Sequence, residues 1–242
     1  MRLFLISKLS LKNTVKIIPV LVVLFLASCT ELLAPKGISK GHIEYTIEYP
    51  QIPENSYLLD LMPKKMETTF IDGSFRSDII AGMGLFKTSI ICQKGEESLT
   101  HSVKMLNKKY SSKLNHDQIV EMNKNFSDFT IKKTNETREI AGMNCKAANV
   151  TVNGDSTWSF TLFYTNEINL PKPNAHTPFK EIEGVLMQYD IISYDTHMRF
   201  TANKVTINEA IELDKILLEE GYESVSPARL KSEIEAIFAT VK

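Results

Sequence analysis

The chain has 242 residues, of which 43% are hydrophobic and 24% are charged, and its formal net charge is −1. This composition is typical of a globular protein and excludes a collagen-like chain, a fully disordered chain and a polytopic membrane protein. The first 28 residues carry four basic and no acidic side chains, so the rest of the chain has a formal charge of −5. Because proteins bind nucleic acid through basic surfaces, we expect no nucleic-acid partner.

The N-terminus has the pattern of an export signal. A basic leader precedes an apolar stretch of ten residues, 17–26. Ten helical residues span about 15 Å, half of a bilayer core, which indicates a signal-peptide core and not a permanent span. The stretch ends in LASC (26–29), which resembles the lipobox of bacterial lipoproteins. The resemblance implies cleavage before Cys29 and acylation of its thiol, with palmitate or similar chains as the membrane anchor.

Sorting and domain organisation follow from this start. Thr30 is the second residue after cleavage, and the resemblance then implies the outer membrane, with the periplasmic side and the cell surface both open. Residues 30–41 mix Pro, Gly, Ser and Lys without apolar periodicity, as in a flexible tether. We therefore predict a signal peptide at 1–28, an acylated tether at 29–41 and one folded domain at 42–242.

The first part of the body is patterned as antiparallel strands. Apolar and polar residues alternate from His42 to Tyr49, and the pair Asp72-Gly73 predicts a two-residue hairpin turn between strands at 64–71 and 74–80. Further strands are predicted at 85–92, 98–106 and 108–114. An inserted helix follows, because Asn115 and Gln118 have the spacing of a capping box.

The second part returns to strands and ends in helices. The strand pattern starts at 129–131 and leads through 138–140 to a turn at 141–142. Further strands are predicted at 146–152, 155–165, 185–194 and 197–207, with an Asn-Gly turn at 153–154. Three prolines make 166–184 a long loop, which is typical of a lid, a binding segment or disorder. We predict C-terminal helices at 209–220 and from Pro227 onward. The fold class is α+β, with a large antiparallel sheet.

Several short motifs resemble the uncharacterised DUF4412 and GLPGLI-type bacterial envelope lipoproteins. They are LMPKKM (61–66), FIDGSFR (70–76), EIAGMNCKA (139–147) and FYTNEI (163–168), and the resemblance covers most of 41–221. EIEGVL (181–186) occupies the place of the GLPGLI signature but lacks its Leu-Pro-Gly core. Such proteins are similar in architecture to LolA and LolB, a curved half-barrel with a helix across its apolar concave face. By that analogy the resemblance implies handling of lipid or lipoprotein.

The sequence offers little catalytic chemistry. Five scattered histidines have no metal-ligand spacing, and no nucleophile elbow or phosphate-binding loop is present. We therefore expect no catalytic residue, no metal site and no cofactor. The tripeptide 155–157 (DST) resembles an acceptor for O-glycosylation in some Gram-negative envelopes, which makes Ser156 a candidate acceptor, although an ordinary polar turn has the same residues.

The methionines and aromatic residues of the predicted strands suggest a binding groove. One face of the sheet, covered by the inserted helix and the 166–184 loop, is expected to hold a lipid or another hydrophobic ligand without covalent chemistry. The alternative is a structural or protein-interaction lipoprotein whose groove is filled by its own side chains. The candidate ligand-binding residues are Met66, Phe70, Phe86, Met105, Met122, Phe126, Trp158, Phe160, Tyr189 and Phe200.

Two cysteines remain after the lipobox cysteine. Export would place Cys92 and Cys145 in an oxidising compartment, where they are candidates for a disulfide bond. Against a bond, residues 90–92 (IIC) have the pattern of a buried strand. Sequence alone leaves both alternatives open.

Overall fold

The computed structural model describes residues 37–122, 124, 128–153, 158–193 and 196–239, without the side chains of Met83 and of 237–239. Internal contacts divide the chain into two units, Met1–Lys36 and Gly37–Lys242. All five hydrophobic clusters of the described residues use only residues from Ile38 onward. The unit Gly37–Lys242 therefore carries its own core.

Twelve strands of the described residues form one sheet. They are β1 (Lys40–Glu48), β2 (Lys65–Ile71), β3 (Ser74–Ala81), β4 (Phe86–Cys92), β5 (Leu99–Met105), β6 (Lys108–Leu114), β7 (Phe129–Ile140), β8 (Met143–Val152), β9 (Trp158–Thr165), β10 (Val185–Ser193), β11 (Thr196–Ile207) and β12 (Glu223–Ser224). The helices are α1 (Leu58–Leu61), α2 (His116–Met122) and α3 (Pro227–Ala239). The predicted strands and the inserted helix are all present, with small shifts at their ends.

The sheet joins two antiparallel meanders, the first made of β1 to β6 and the second of β7 to β11. Its strand order is β12-β6-β5-β4-β3-β2-β1-β11-β10-β9-β8-β7, so β1 lies in the middle and pairs with both β2 and β11. β7 and β12 are at opposite edges, and the sheet is curved and unclosed. The hairpin turn predicted between β2 and β3 is present, since Asp72 and Gly73 have φ angles of 48° and 100°.

The two faces of the first meander are covered by different parts of the C-terminal region. On one face, Leu230 and Ile234 of α3 pack against Val103 of β5. On the opposite face, Ile211 and Ile216 pack against Ile71 and Ile91. Between Ile216 and Leu230 the chain forms the short strand β12, which pairs in parallel with β6. The C-terminal region therefore wraps around that edge of the sheet.

The helix predicted at 209–220 is wrong. The structure has only a 3₁₀ turn there, Leu213–Lys215. The Asn208 side chain does bind a backbone N–H, that of Ala210, but it closes a local turn and starts no helix. Arg76, buried on the sheet, donates to the Leu217 carbonyl and to the Glu219 carboxylate, and these bonds hold the segment against the sheet in an irregular path.

The ends of the other helices agree with the sequence patterns. In α2 the Asn115 side chain accepts from the Gln118 backbone N–H, and the Gln118 side chain accepts from the Asn115 N–H, as a capping box requires. α3 begins at Pro227, as predicted. Among the described residues, no helix is both long enough and apolar enough to cross a membrane.

The folded unit begins slightly earlier than the predicted boundary at residue 42. Ile38 forms a parallel bridge with Ile168, and β1 starts at Lys40. Two backbone hydrogen bonds fix this start, from Ile38 N–H to Glu167 O and from Asn169 N–H to Ile38 O. The last residues of the predicted tether are therefore part of the fold.

Candidate functional site

A cavity of about 750 Å³ lies between the sheet and the elements that cover it. Its wall combines residues of β1 to β6 with residues of β10 and β11. The apolar side chains of this wall include Met66, Phe75, Ile79, Ile90, Ile191 and Phe200. Gln118 and Met122 of α2, the 166–184 loop and the first turns of α3 complete the enclosure.

The helix α2 is fixed to the sheet by one side chain. Ile119 is buried and packs with Cys92, Leu99 and Leu114. Met122, one turn further on, is 42% exposed and lines the cavity. α2 therefore covers the sheet without filling the space beneath its C-terminal end.

The long loop is ordered by its own buried polar group. The Asn174 side-chain amide donates to the carbonyls of Ile182 and Gly184, at 2.7 and 2.8 Å. Gly184 lies so close to Thr165 and Asn166 that a Cβ atom would collide with the Thr165 carbonyl. The loop is thus a fixed cover, and its residues 170, 173–174 and 176–178 line the cavity.

Charged side chains mark the part of the cavity that reaches solvent. Glu121 and Lys124, at the end of α2, are joined at 2.6 Å, and Lys231 and Glu235 of α3 lie on the same rim. All four are exposed. The hydrogen bond and charge of Lys124, with a smaller contribution from Lys231, hold the pKa of Glu121 below its usual value. The rim therefore combines two positive and two negative charges.

Four of the ten predicted ligand-binding residues line the cavity. They are Met66, Met122, Tyr189 and Phe200. The rings of Tyr189 and Phe200 stack, with centroids 5.0 Å apart. Burial raises the pKa of the Tyr189 hydroxyl above its ordinary value, so that hydroxyl is neutral in the wall.

Five other predicted residues do not line the cavity. Phe70 is fully buried in the hydrophobic cluster around β1, which we call the central core. Phe86 packs beneath α3 with Val103. Met105, at the end of β5, is half-buried away from the cavity. Trp158 and Phe160 stack on each other, and Phe160 meets the loop residue Phe179. Phe86 and Phe160 meet side chains of the covering elements directly, so they fill space that the sequence analysis assigned to a ligand.

The contacts of Trp158 and Phe160 belong to a solid cluster, which we call the filled cluster. It consists of buried residues on β8 and β9 together with loop and β10 residues: Ala148, Val150, Val152, Phe160, Leu162, Tyr164, Phe179, Ile182 and Leu186. Phe179 has no exposed surface and contacts the rings of Phe129, Phe160 and Tyr189. Trp158 packs against its edge.

Sequence analysis missed the smaller residues of the cavity wall. Thr68, Ser77 and His101 line it together with Ile79 and Ile90. The alternation of each strand would have placed them on the same face as Met66 and Phe75. The predicted ligand-binding residues were all methionines or aromatic residues. Small and polar residues such as these three are what leave space in a wall.

The disulfide bond allowed by the sequence is absent. Cys92 and Cys145 are both buried free thiols. Cys92 lies on β4 in the cluster beneath α2, whereas Cys145 lies on β8 in the central core. Seven strand-to-strand steps separate β4 from β8 along the sheet, and a disulfide needs Cα atoms within about 7 Å. Burial raises the pKa of Cys92 to about 12 and that of Cys145 to about 11.

A buried network of hydrogen-bonded polar side chains joins β10 and β11. Asp190 is 1% exposed, and its Oδ1 accepts a hydrogen bond from Arg199 Nε at 2.8 Å. Its Oδ2 accepts from Arg199 Nη2 at 2.9 Å and lies 2.9 Å from His197 Nε2. Burial alone would raise the pKa of Asp190, but the hydrogen bonds and charges of His197 and Arg199 hold it below its usual value. The Trp158 ring covers His197, with centroids 4.7 Å apart. This network pins β10 to β11.

Three predicted site residues lie outside the described residues. They are Cys29, Phe126 and Ser156. The acylation, ligand and glycosylation predictions at these positions stay predictions.

Comparison with known proteins gives distant structural likenesses only. No family model matches the chain, and no curated protein is similar to it. The structure of PNGF-II in a P21 crystal form aligns with 81% of this chain and 33% of its own, at 14% identity and a TM-score of 0.49. MucB in complex with MucA(peri) aligns with 75% of this chain and 54% of its own, at 10% identity and a TM-score of 0.36. The chain thus spans about a third of PNGF-II and about half of MucB.

Proposed function

We propose that this protein binds a lipid or another hydrophobic ligand in the cavity between sheet, helices and loop, without covalent chemistry. The observation that carries the proposal is a cavity of about 750 Å³ with an apolar wall. Cavities of roughly 300–1,000 Å³ lined by apolar side chains are typical of small-molecule sites. A wall of this kind has no polar partners for most of the water it would hold, which favours an apolar occupant.

The size of the cavity fits one acyl chain with a small head group. At about 30 Å³ for each water-sized group, it has room for roughly 25 heavy atoms. Each methylene transferred from water to such a wall contributes about 0.8 kcal/mol. Ten buried methylenes would therefore contribute about 8 kcal/mol before the entropy cost of binding, so no charged anchor is needed.

The alternative function is a structural or interaction protein whose groove is filled by its own side chains. In the filled cluster the protein's own side chains occupy the space above the strands. Above β2 to β5 a cavity remains. The presence of the cavity therefore favours the ligand-binding proposal over the alternative.

Two neighbouring isoleucines on β3 give a matched test. Ile79 is half-buried and lines the cavity, while Ile80 is 40% exposed and points to the opposite face. We expect Ile79→Asp to weaken binding of the apolar fluorophore N-phenyl-1-naphthylamine to the isolated unit Gly37–Lys242 by at least tenfold, because an unpaired carboxylate in an apolar wall is strongly unfavourable. Ile80→Asp is the control and should leave binding unchanged.

Circular dichroism and urea titration verify that both variants are folded. Native mass spectrometry of the unmodified unit should reveal a co-purified lipid. If the fluorophore does not bind the wild-type unit, or binds the folded Ile79→Asp variant equally well, the ligand-binding proposal is wrong.

We further propose that acyl chains on Cys29 anchor the protein at the outer membrane. The support is the lipobox-like pattern LASC and the apolar stretch before it. In cells fed with a labelled palmitate, Cys29→Ser should lose the label and leave the membrane fraction, because two or three acyl chains are what give stable anchoring. Cys92→Ala, which removes a thiol of the folded unit, should keep both properties. Undiminished labelling of Cys29→Ser would refute the anchor.

A further inference from the structure

A band of polar side chains crosses the apolar wall of the cavity. Thr68, Ser77, Ile90 and His101 face one another in register on β2, β3, β4 and β5. Thr68 Oγ1 and Ser77 Oγ lie 2.8 Å apart and satisfy each other. His101 has no such neighbour within the band, because the apolar side chain of Ile90 separates it from Ser77.

The hydrogen bonds around His101 fix its tautomer. The Thr88 hydroxyl donates to the Ser102 carbonyl at 3.1 Å, which uses its single proton. His101 Nε2 lies 3.0 Å from the same Thr88 oxygen, so the ring must donate its Nε2–H there. Burial lowers the pKa of His101 to about 4, so the ring is neutral at physiological pH. Nδ1 is therefore left as a bare acceptor.

This acceptor faces the cavity without a partner among the described residues. Thr88 is the single hydrogen-bond partner of His101 in the described part of the chain, and the ring lines the cavity. Ser102 Oγ is the one side-chain polar atom of the described residues that is both enclosed and unpaired, so Nδ1 of His101 keeps access to solvent. Covering such an atom with an apolar group costs about 1–3 kcal/mol. A ligand that donates a hydrogen bond to Nδ1 avoids that cost, whereas a ligand that covers Nδ1 without a donor incurs it.

The charges of the cavity exclude an anionic group at this depth. Among the described lining residues, the charged side chains are Glu121, Lys124, Lys231 and Glu235, all of which lie at the rim. An ionised carboxylate or phosphate beside His101 would meet the lone pair of Nδ1 and no cation. The position favours a neutral donor group.

We infer that the ligand is a neutral amphiphile with a hydroxyl or amide donor next to its alkyl chain, and that His101 Nδ1 accepts a hydrogen bond from this donor. The inference rests on the ligand-binding function proposed above. It assigns His101 as the residue that distinguishes such an amphiphile from a plain hydrocarbon or ester of equal length.

Two ligands with the same chain test this assignment. 1-Monopalmitoylglycerol carries two hydroxyl donors, and methyl palmitate carries none. In displacement of N-phenyl-1-naphthylamine from the unit Gly37–Lys242, we expect the glycerol ester to compete about five- to tenfold better, as one buried hydrogen bond provides. His101→Leu should remove this preference while methyl palmitate competes as before.

Two further variants control the result. His42→Leu removes a strand histidine whose ring also bonds a threonine, Thr69, but on the opposite face of the sheet, and it should keep the full preference. His101→Gln offers an amide oxygen as acceptor and should retain part of the preference, which guards against a folding defect in His101→Leu.

The outcomes separate this inference from the function on which it rests. If neither ester displaces the fluorophore, the cavity is not a lipid site and the proposed function fails. If both displace it equally from the wild-type unit, or if folded His101→Leu keeps the preference, the cavity binds lipid but the assignment of His101 is overturned.

Discussion

The filled cluster and the cavity wall of β2 to β5 are parts of one sheet with opposite packing. On β8 and β9 the loop residues Phe179 and Ile182 pack against the strands, and no described residue of these two strands lines the cavity. On β2 to β5 the small or polar residues Thr68, Ser77 and His101 line the cavity, which α2 and α3 help to enclose. We call this second part the hollow region.

The difference shows what decides whether a curved sheet is filled. A loop can follow the curvature and insert an aromatic side chain where the strands leave room. A helix is straight and about 10 Å wide, so it contacts a concave surface through a few residues, here Ile119 of α2 and Leu230 and Ile234 of α3. The space between such contacts remains open unless long side chains of the sheet fill it.

The largest expected effect compares one phenylalanine from each region. Phe179→Ala should lower the free energy of unfolding by about 3–5 kcal/mol, because it empties a fully enclosed aromatic site. Phe75→Ala, at the half-buried cavity wall, should cost roughly half as much, since its ring already borders open space. Urea unfolding of both variants measures the difference. Equal losses would mean that the two regions are equally well packed.

The local structure of both regions was predictable from sequence. Alternating residues, the Asp-Gly turn and the capping box of Asn115 and Gln118 depend on neighbours within a few residues, and the strands and α2 agree with them. The existence of a loop at 166–184 followed in the same way from its prolines. These signals are short-range, so they survive in the folded chain.

The distribution of solid and hollow packing was not predictable. It depends on the pairing of β1 with β11, 150 residues apart or more, and on the docking of Phe179. The irregular path at 209–220 likewise depends on Arg76, whose bonds to Leu217 and Glu219 cannot be read from the local pattern. The resemblance to DUF4412 and GLPGLI-type proteins stays a prediction.

An intermediate effect comes from adding the same side-chain volume to each region. Ala148 has no exposed surface in the filled cluster, so Ala148→Leu should cost about 1–3 kcal/mol through overpacking. Ser77→Leu places the added methyl groups in the cavity. It loses the bond to Thr68 but gains apolar burial, so the free energy of unfolding should change by less than about 1 kcal/mol.

The same pair connects packing to binding. Ser77→Leu should weaken fluorophore binding by occupying the cavity, while Ala148→Leu should leave the affinity of the folded fraction unchanged. A large loss of stability in Ser77→Leu would contradict the presence of free space at this position.

The smallest expected effect concerns the two thiols, one on a strand of each region. Cys92 on β4 and Cys145 on β8 are free thiols in separate hydrophobic clusters. Adding a reductant to the unit Gly37–Lys242 should therefore shift its Tm by less than about 1 °C. Losing a native disulfide would instead cost about 2–5 kcal/mol. Since the thiolate is the reactive form and burial raises the pKa of both thiols, iodoacetamide at pH 8 should label the native unit at least about 100-fold more slowly than an exposed cysteine. After denaturation without reductant, two thiols should react in the wild type and one in Cys92→Ala or Cys145→Ala. A wild-type unit with no reactive thiol under those conditions would show that β4 and β8 are bridged and that the two regions meet.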